Sequence, residues 1–349
     1  MTLLLTEGFD HQATNLNLAN QFTVVSGVKA FVAGRFGGRA ASLQPTNNMS
    51  QGPRLCYAPA NINSGTVGFG FQINPASSSQ PPGSILVCFG NTTHPTLVTI
   101  TLAAATGLVT ATAPVSLGTA GVSQSAMFQS GLWNFCEIQT VLDEVAGAIT
   151  VQINGVNAIS VANVKTTTVA PVLDLITWGF VAGNGGTGYI DDVYFCDLNG
   201  AAPFNTFLGG CHINTVFPAA PGTYAQFTPN NPNNTNWFGV SDAVMDGDLT
   251  YNTASNVGTK DTFTSAAAFL PTANILAVQP KSAVRQDDTN ARQMQTYVKS
   301  GSTEQGGATY TMNQTYLYMA DIYVNDPATG LPWTSAGVNA LEFGYNIVE

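Results

Sequence analysis

The sequence predicts an all-β protein, and three observations support that prediction. Short apolar stretches with alternating side chains recur along the chain, and residues 149–153, which alternate Ile and Val with Thr and Gln, are the clearest of them. A period of two is typical of a half-buried strand. Turn formers separate these stretches, and the chain contains 35 Gly and 18 Pro. No stretch before residue 200 has convincing helical periodicity, which favours a sandwich or jelly roll.

Each predicted strand of the first 200 residues is bounded by turn signals. In chain order, the stretches are 1–12, 22–25, 29–32, 67–73, 85–89, 97–102, 108–113, 125–128, 149–153, 172–180 and 189–195. After the strand at 149–153 comes Asn154-Gly155, which predicts a tight hairpin because both residues tolerate positive φ.

A domain boundary is predicted near residues 199–203, where turn formers replace apolar residues. We assign residues 1–200 to a jelly-roll sandwich and residues 201–349 to a smaller β-rich domain. Alternation predicts further strands in the second domain at residues 211–217, 274–280, 292–298, 317–324 and 341–343. Residues 265–270 are predicted to form a short helical turn.

Charge excludes two classes of partner. Charged residues make up 9% of the chain, against about 25% in ordinary globular proteins, and the net charge is −10. Nucleic-acid grooves and surfaces that bind anionic membranes need clustered Lys and Arg, and the sequence has no basic run. We therefore expect no nucleic-acid partner and no membrane insertion. A surface of hydroxyl and amide groups is common in proteins that pack against copies of themselves.

Cysteine usage and the amino terminus indicate where the chain assembles. The sequence has five Cys and no CxxC pair, which favours buried free thiols, with a disulfide between two of them as the alternative. Free thiols suit a reducing cytoplasm. The first six residues are too short for a secretory signal, and no apolar run approaches the roughly 18 residues that span a bilayer. We expect a soluble protein that carries no such signal.

The candidate metal ligands are Asp10, Asp191 and Asp192. Hard cations such as Ca²⁺ prefer carboxylate and carbonyl oxygens, but they take six or more of them. Neighbouring residues on a strand point to opposite faces, so only one of the Asp191-Asp192 pair can reach a given site. The alternative is that a carboxylate caps the amino-terminal strand or accepts hydrogen bonds from loop amides. We expect no cofactor, with a structural Ca²⁺ as the open possibility.

The candidate ligand contact is Trp237, because it lies in the Asn-rich loop 229–237. Loop aromatics stack on sugars and also anchor subunit interfaces. Trp133 and Trp178 lie in apolar stretches and are predicted to be core residues.

Catalytic machinery is not evident in the sequence. Glycoside hydrolysis needs two carboxylates roughly 5–10 Å apart, and Glu137 is the only acid in the aromatic strand predicted at residues 133–138. The three His residues lack partners at zinc or triad spacing. We therefore expect no catalytic residues and no enzymatic activity.

Three motifs in the first 200 residues resemble the concanavalin A-like, or laminin G-like, jelly-roll family. They are Glu7-Gly-Phe-Asp10, then Trp133 to Ile138 followed by Gly147 to Gly155, and Tyr189-Ile-Asp-Asp-Val193. The order and spacing of the three motifs carry the resemblance. The resemblance implies a concanavalin A-like jelly-roll sandwich at the amino end.

The whole chain resembles virion structural proteins of tailed bacteriophages. The resemblance adds Phe207-Leu-Gly, the Trp237 region, Tyr251 with Asp261-Thr-Phe263, and the segment from Asp326-Pro through Trp333-Thr334 to Phe343-Gly. It implies a non-enzymatic component of the tail, baseplate, fibre or head surface, assembled in the host cytoplasm. We expect the second domain to anchor the chain among other virion proteins. The low charge and the abundant small residues predict a homo-oligomer, a trimer or higher. The alternative is a carbohydrate-binding module that recognises a host surface glycan during attachment.

Overall fold

The structure is a computed structural model that describes residues 3–12, 21–23, 25–47, 53–60, 62–75, 82–113, 119–181, 186–266 and 272–349. The chain divides into two compact units, Met1–Asn214 and Thr215–Glu349. Nearly all of the regular secondary structure described in both units is β-strand, which confirms the predicted all-β fold.

The described part of the first unit is a two-sheet sandwich. Its strands are β1 (Leu3–Glu7), β2 (Val28–Ala33), β3 (Arg39–Leu43), β4 (Leu55–Tyr57), β5 (Ser64–Asn74), β6 (Ser84–Gly90), β7 (Val98–Ala103), β8 (Leu108–Thr112), β9 (Thr119–Val122), β10 (Asn134–Val141), β11 (Gly147–Ile153), β12 (Val156–Val164), β13 (Leu175–Val181) and β14 (Thr187–Asp197). The large sheet has the order β12-β11-β10-β5-β14-β3-β2, with β1 also on β14, and the small sheet has the order β4-β13-β6-β7-β8-β9.

Alternate residues of both sheets point inward and form one core. Phe69 of β5 and Trp178 of β13 are fully buried members of it. Removing such side chains from water is the main stabilising term of the sandwich. The β11–β12 hairpin turns at Asn154 and Gly155, with φ of 53° and 78°, as the dipeptide predicts.

Glycines of β5 make room for large side chains on the outer face of the large sheet. A Cβ on Gly68 would lie 1.9 Å from the Tyr194 ring, and a Cβ on Gly70 would lie 2.9 Å from Cδ of Arg35. Tyr194 and Arg35 therefore lie flat on the strand. This packing explains why Gly68 and Gly70 lie within an otherwise apolar strand.

A bulge in β14 breaks the expected alternation at Asp191-Asp192. The register with β5 shifts between Asp191 and Tyr194, and Asp192 has a φ of 50°. An extra residue in a strand re-aims the side chains around it. The backbone amide of Arg35 donates to Asp191 and its Nη1 donates to Asp192, so one residue engages both carboxylates.

The second unit is smaller and contains short strands around a central sheet. Its elements are β15 (Pro218–Ala225), β16 (Thr228–Pro229), a 3-10 turn (Phe238–Val240), β17 (Asn252–Thr253), β18 (Lys260–Ser265), β19 (Lys281–Val284), β20 (Gln293–Ser300), β21 (Thr303–Gly306), β22 (Tyr310–Thr311), β23 (Leu317–Ala320), α1 (Ser335–Asn339) and β24 (Glu342–Ile347). The central sheet has the order β15-β18-β24-β20-β21, with β22 also on β20, while β16 pairs with β17 and β19 with β23. Phe263, Met294 and Tyr345 are in its main core cluster.

Some local predictions differ from the structure. The units divide after Asn214 rather than near residue 200, because residues 208–213 hydrogen-bond to the sandwich. Residues 211–217, predicted as a strand, form none, and Ile213 hydrogen-bonds to the sandwich instead. Residues 125–128 form no strand either. Residues 274–280 contribute only an isolated bridge at Val278. Of the predicted helical turn at 265–270, Ser265 ends β18 and residues 267–270 lie outside the described residues.

All five cysteines carry free thiols. Four are buried and Cys211 is half-buried. Burial raises the pKa of the Cys88 thiol to about 12, so it is protonated at neutral pH. None of the helices in the described part of the chain has the length and apolar character that crossing a membrane requires.

The two tryptophans predicted to be core residues differ in their environment. Trp178 is fully buried, whereas Trp133 is only half-buried. We predict that Trp178→Ala lowers the free energy of unfolding by about 3–5 kcal/mol, because it removes a large side chain and leaves a cavity. Trp133→Ala should cost less than half as much. Chemical denaturation measures both, and equal losses would contradict this description of the core.

Candidate functional site

A buried carboxylate organises one end of the second unit. Asp261, on β18, is fully buried. Its oxygens accept hydrogen bonds from the amides of Gln226 at 2.7 Å and Phe227 at 3.0 Å, and from the side chain of Asn236 at 3.0 and 2.9 Å. The side-chain amide of Asn252 donates a further bond at 3.2 Å. Burial raises the pKa of Asp261, and these donors oppose that shift.

The same network joins two segments that are distant in sequence. The side-chain amide of Asn252 also donates to the carbonyl of Asn236 at 2.9 Å. A Cβ on Gly239 would lie 3.0 Å from Oδ1 of Asn252, so the 3-10 turn packs closely on β17. Asn230 strengthens the junction, since its backbone amide donates to the carbonyl of Tyr251 at 2.9 Å and its side chain donates to the carbonyl of Leu249.

These segments expose apolar side chains to solvent. We define the aromatic patch as Trp237, Phe238, Leu249 and Tyr251. Phe238 is 52% exposed, Tyr251 40% and Leu249 76%. Isolated exposed apolar residues are ordinary, whereas several of them on segments that pack together make a candidate interaction site.

Trp237 has a different place from the one that the sequence suggested. It is partly buried and packs against the core of the second unit. Its ring meets that of Phe238 edge to face, with centroids 5.9 Å apart. Trp237 therefore supports the patch, and Phe238 is the more exposed ring.

Every cation of the second unit has a partner. Lys260 pairs with Glu304 and Lys299 with Glu342, each at 3.0 Å, and Arg285 and Arg292 pair with Asp248 and Asp288 at 2.9 Å. Lys281 lies over the ring of Tyr318. The unit has five Lys and Arg against eleven Asp and Glu, a net charge of −6. Its surface therefore favours uncharged ligands over acidic ones.

The predicted metal ligands lie in the first unit, where they hold backbone amides. Asp10 accepts from the amide of Arg39, and Asp191 accepts from the amides of Arg35 and Asp192, each at 2.8 Å. Asp192 accepts from the amide of Ile213 at 2.8 Å and pairs with Nη1 of Arg35 at 3.3 Å. The three carboxylates therefore accept hydrogen bonds from backbone amides, which is the alternative to calcium binding that the sequence left open.

These residues do not fit a calcium site in this arrangement. Amide and guanidinium donors already occupy both oxygens of Asp191 and both oxygens of Asp192. Within the described ranges, no three acidic, His or Cys side chains form a group that could hold a metal ion.

The carboxylates help to hold the segment 208–213 on the outer face of the large sheet. Glu137 accepts from the amide of Gly209 at 2.8 Å and from the hydroxyl of Tyr194 at 2.5 Å. Arg35 donates to the carbonyl of Cys211 at 2.9 Å. Glu137, which stands alone on its strand, therefore acts in holding the chain, together with residues that the sequence alone did not group with it.

Comparisons by sequence return nothing, since no family model and no curated protein matches the chain. Comparison of structures finds similar folds. A sialidase has a TM-score of 0.41 and 11% identity over 65% of this chain, which spans 23% of that protein. The alginate lyase Aly36B has a TM-score of 0.40 and 12% identity, and the match covers 55% of this chain and 95% of the lyase. A legume lectin-like domain from Entamoeba histolytica has a TM-score of 0.36 and 10% identity, again over 55% of this chain and 95% of that domain.

Likeness at this level assigns no function. The predicted jelly-roll sandwich followed by a smaller β-rich unit is confirmed by the sheets described above. The exclusion of enzymatic activity is wrong as an inference from sequence, because similar folds include a lyase and a sialidase. The virion origin, the particle partners and the trimeric or higher assembly stay predictions.

Asp261 offers a direct test of the network. We predict that Asp261→Asn lowers the free energy of unfolding by about 2 kcal/mol, because an amide group would turn a donor toward the buried donors. Asp287→Asn, at an exposed position, serves as the control and should be near neutral. Chemical denaturation measures both. Equal stability of Asp261→Asn and the wild type would contradict the role of the carboxylate.

The raised pKa of Asp191 should give the stability of the fold a pH dependence opposite in sign to that of most acidic residues. Burial, reinforced by Asp192, raises the pKa of Asp191 from 3.8 to about 8. The folded state then holds a proton that the unfolded chain has lost, so stability falls as pH rises from about 4 to about 8. We predict that Asp191→Asn gains stability relative to the wild type across this range.

Asp143 is the matched control, because the amides of Ala146 and Val145 lower its pKa. Asp143→Asn should lose stability relative to the wild type as pH rises through the acid range. The reason is that the amides stabilise the ionised carboxylate of the folded wild type, and the variant has no carboxylate to ionise. Thermal melts at a series of pH values measure both variants. Parallel curves for Asp191→Asn and the wild type would overturn the raised pKa.

Proposed function

We propose that this protein binds neutral carbohydrate through the aromatic patch of its second unit. The observation that supports the proposal is the exposure of Phe238 and Tyr251 on segments that the Asp261 network fixes. Preformed sites combine apolar and aromatic surface with a few placed polar groups. The patch is therefore organised before a ligand arrives.

Sugar rings suit such a surface. Their faces carry C–H groups that pack on aromatic rings, and their edges carry hydroxyls that pair with amides. Asn231 and Asn233 are exposed in the adjoining loop, and the backbone amide of Asn233 donates to Oδ1 of Asn231 at 3.0 Å. These side chains supply exposed hydrogen-bonding groups in the loop that leads to Trp237 and Phe238. An apolar surface with an amide rim fits a saccharide better than it fits a fully apolar ligand.

Charge restricts the proposed ligand to neutral saccharides. The cations of the second unit are already paired, and the unit carries an excess of six acids. A uronate polymer would meet repulsion and find no unpaired cation among the Lys and Arg of this unit. We therefore expect hexose polymers to bind and their uronate counterparts to bind more weakly.

The finer version of the proposal places the chain on a phage virion, with the glycan on the host surface. It is supported by the sequence resemblance through Phe207, Trp237, Tyr251 and the carboxyl-terminal segment. Immunogold labelling of phage particles with antibodies to this protein tests it. Labelled particles would support the assignment, and labelling only of unassembled protein would overturn it.

Calorimetric titration tests the binding site. Neutral hexose oligosaccharides and uronate oligosaccharides of equal length are titrated into the full chain. We expect the neutral set to bind more tightly, and Phe238→Ala and Tyr251→Ala each to weaken binding by about tenfold, or about 1.4 kcal/mol. Phe36→Ala is the control, because Phe36 is 57% exposed in the first unit. Binding that survives both patch variants, or tighter binding of uronates, would refute the proposal.

A further inference from the structure

Strand β12 forms an open edge of the large sheet. It is the last strand in the sheet order, and within the described residues it pairs only with β11. Its nine residues include no charged residue and no proline, and Val156 at its start is 60% exposed. A long, uncharged edge presents unpaired backbone groups to another strand.

Other edges among the described strands carry features that discourage pairing. On the opposite edge of the same sheet, β2 contains Lys29. In the second unit, β15 has Pro218 and Pro221, and β21 is short and contains Glu304. The edges of the small sheet, β4 and β9, have only three and four residues. Strand β12 differs from them in being both long and uncharged.

The sequence of β12 reads nearly the same in both directions. From Val156 to Val164 it is Val-Asn-Ala-Ile-Ser-Val-Ala-Asn-Val, with Ser160 at the centre and Ile159 matched by Val161. A two-fold axis beside Ser160 would place Ala158 opposite Ala162 of a second copy, and Asn157 opposite Asn163. Small residues then meet small residues, and amides meet amides.

We propose that two copies of this chain pair through β12, antiparallel and centred on Ser160, so that their large sheets join edge to edge. Isologous pairing of this kind is the commonest symmetry of soluble oligomers. On the core side, Ile159 is buried and Val161 partly buried, so the Ile159–Val161 contact would extend the apolar layer of both sandwiches. No charge on the strand opposes the contact. The proposal is independent of carbohydrate binding.

The register of β12 limits the strength of the contact. Its pairing with β11 shifts next to Asn157 and again next to Val164, and Asn163 has a φ of 58°. Bulges twist an edge away from partners. Regular pairing covers Ile159 to Ala162, which gives a small interface and a reversible dimer.

Sedimentation velocity over a concentration series into the submillimolar range tests the dimer. We expect a reversible monomer–dimer equilibrium for the wild type. Ser160→Lys should raise the dimer Kd by about fivefold or more, because like charges directly opposite each other repel. Ser160→Asp should do the same, and an equimolar mixture of the two variants should form heterodimers. Ser160 is exposed, so neither change disturbs the core.

Ala30→Lys is the matched control, because Ala30 is exposed on β2 at the opposite edge of the same sheet. It should leave the Kd unchanged. A wild type that stays monomeric throughout would overturn the proposal. So would a dimer that Ser160→Lys leaves intact, or one that Ala30→Lys weakens equally.

Discussion

The carboxylate of Asp261 is the constraint on which the candidate site depends. It accepts bonds from donors on three separate parts of the second unit, at residues 226–227, 236 and 252. Donors to a buried charge are costly to lose, because the charge would remain out of water without partners. The positions of Phe238 and Tyr251 follow from this network.

The first unit uses the same kind of interaction to hold a different part of the chain. Glu137 and Asp192 accept amides from residues 208–213, while Gly68 and Gly70 leave the space in which Tyr194 and Arg35 lie. Acidic residues in both units therefore organise backbone in the described structure. The chain has few charged residues, and several of its acidic side chains lie where irregular segments need hydrogen-bond acceptors.

Local pattern predicted much of the fold and little of the site. Alternation at residues 149–153 and the Asn154-Gly155 turn predicted β11 and its hairpin, because both signals are local. The bulge at Asp192 carries no comparable signal, so the paired contacts of Arg35 were missed. The sequence named Trp237 as a ligand contact, which stays a prediction, whereas the setting of Phe238 depends on contacts between Asn236, Asn252 and Asp261. Those contacts join residues distant in sequence, which periodicity does not report.

Hydrogen exchange with and without a neutral oligosaccharide tests the central claim most directly. The tightest binder among neutral hexose oligosaccharides would be added to the full chain at saturating concentration. Carbohydrate binding at the aromatic patch predicts slower exchange of the amides at residues 230–240 and 249–253, with the sandwich unchanged. Unchanged exchange in those segments, or protection confined to residues 3–214, would contradict it.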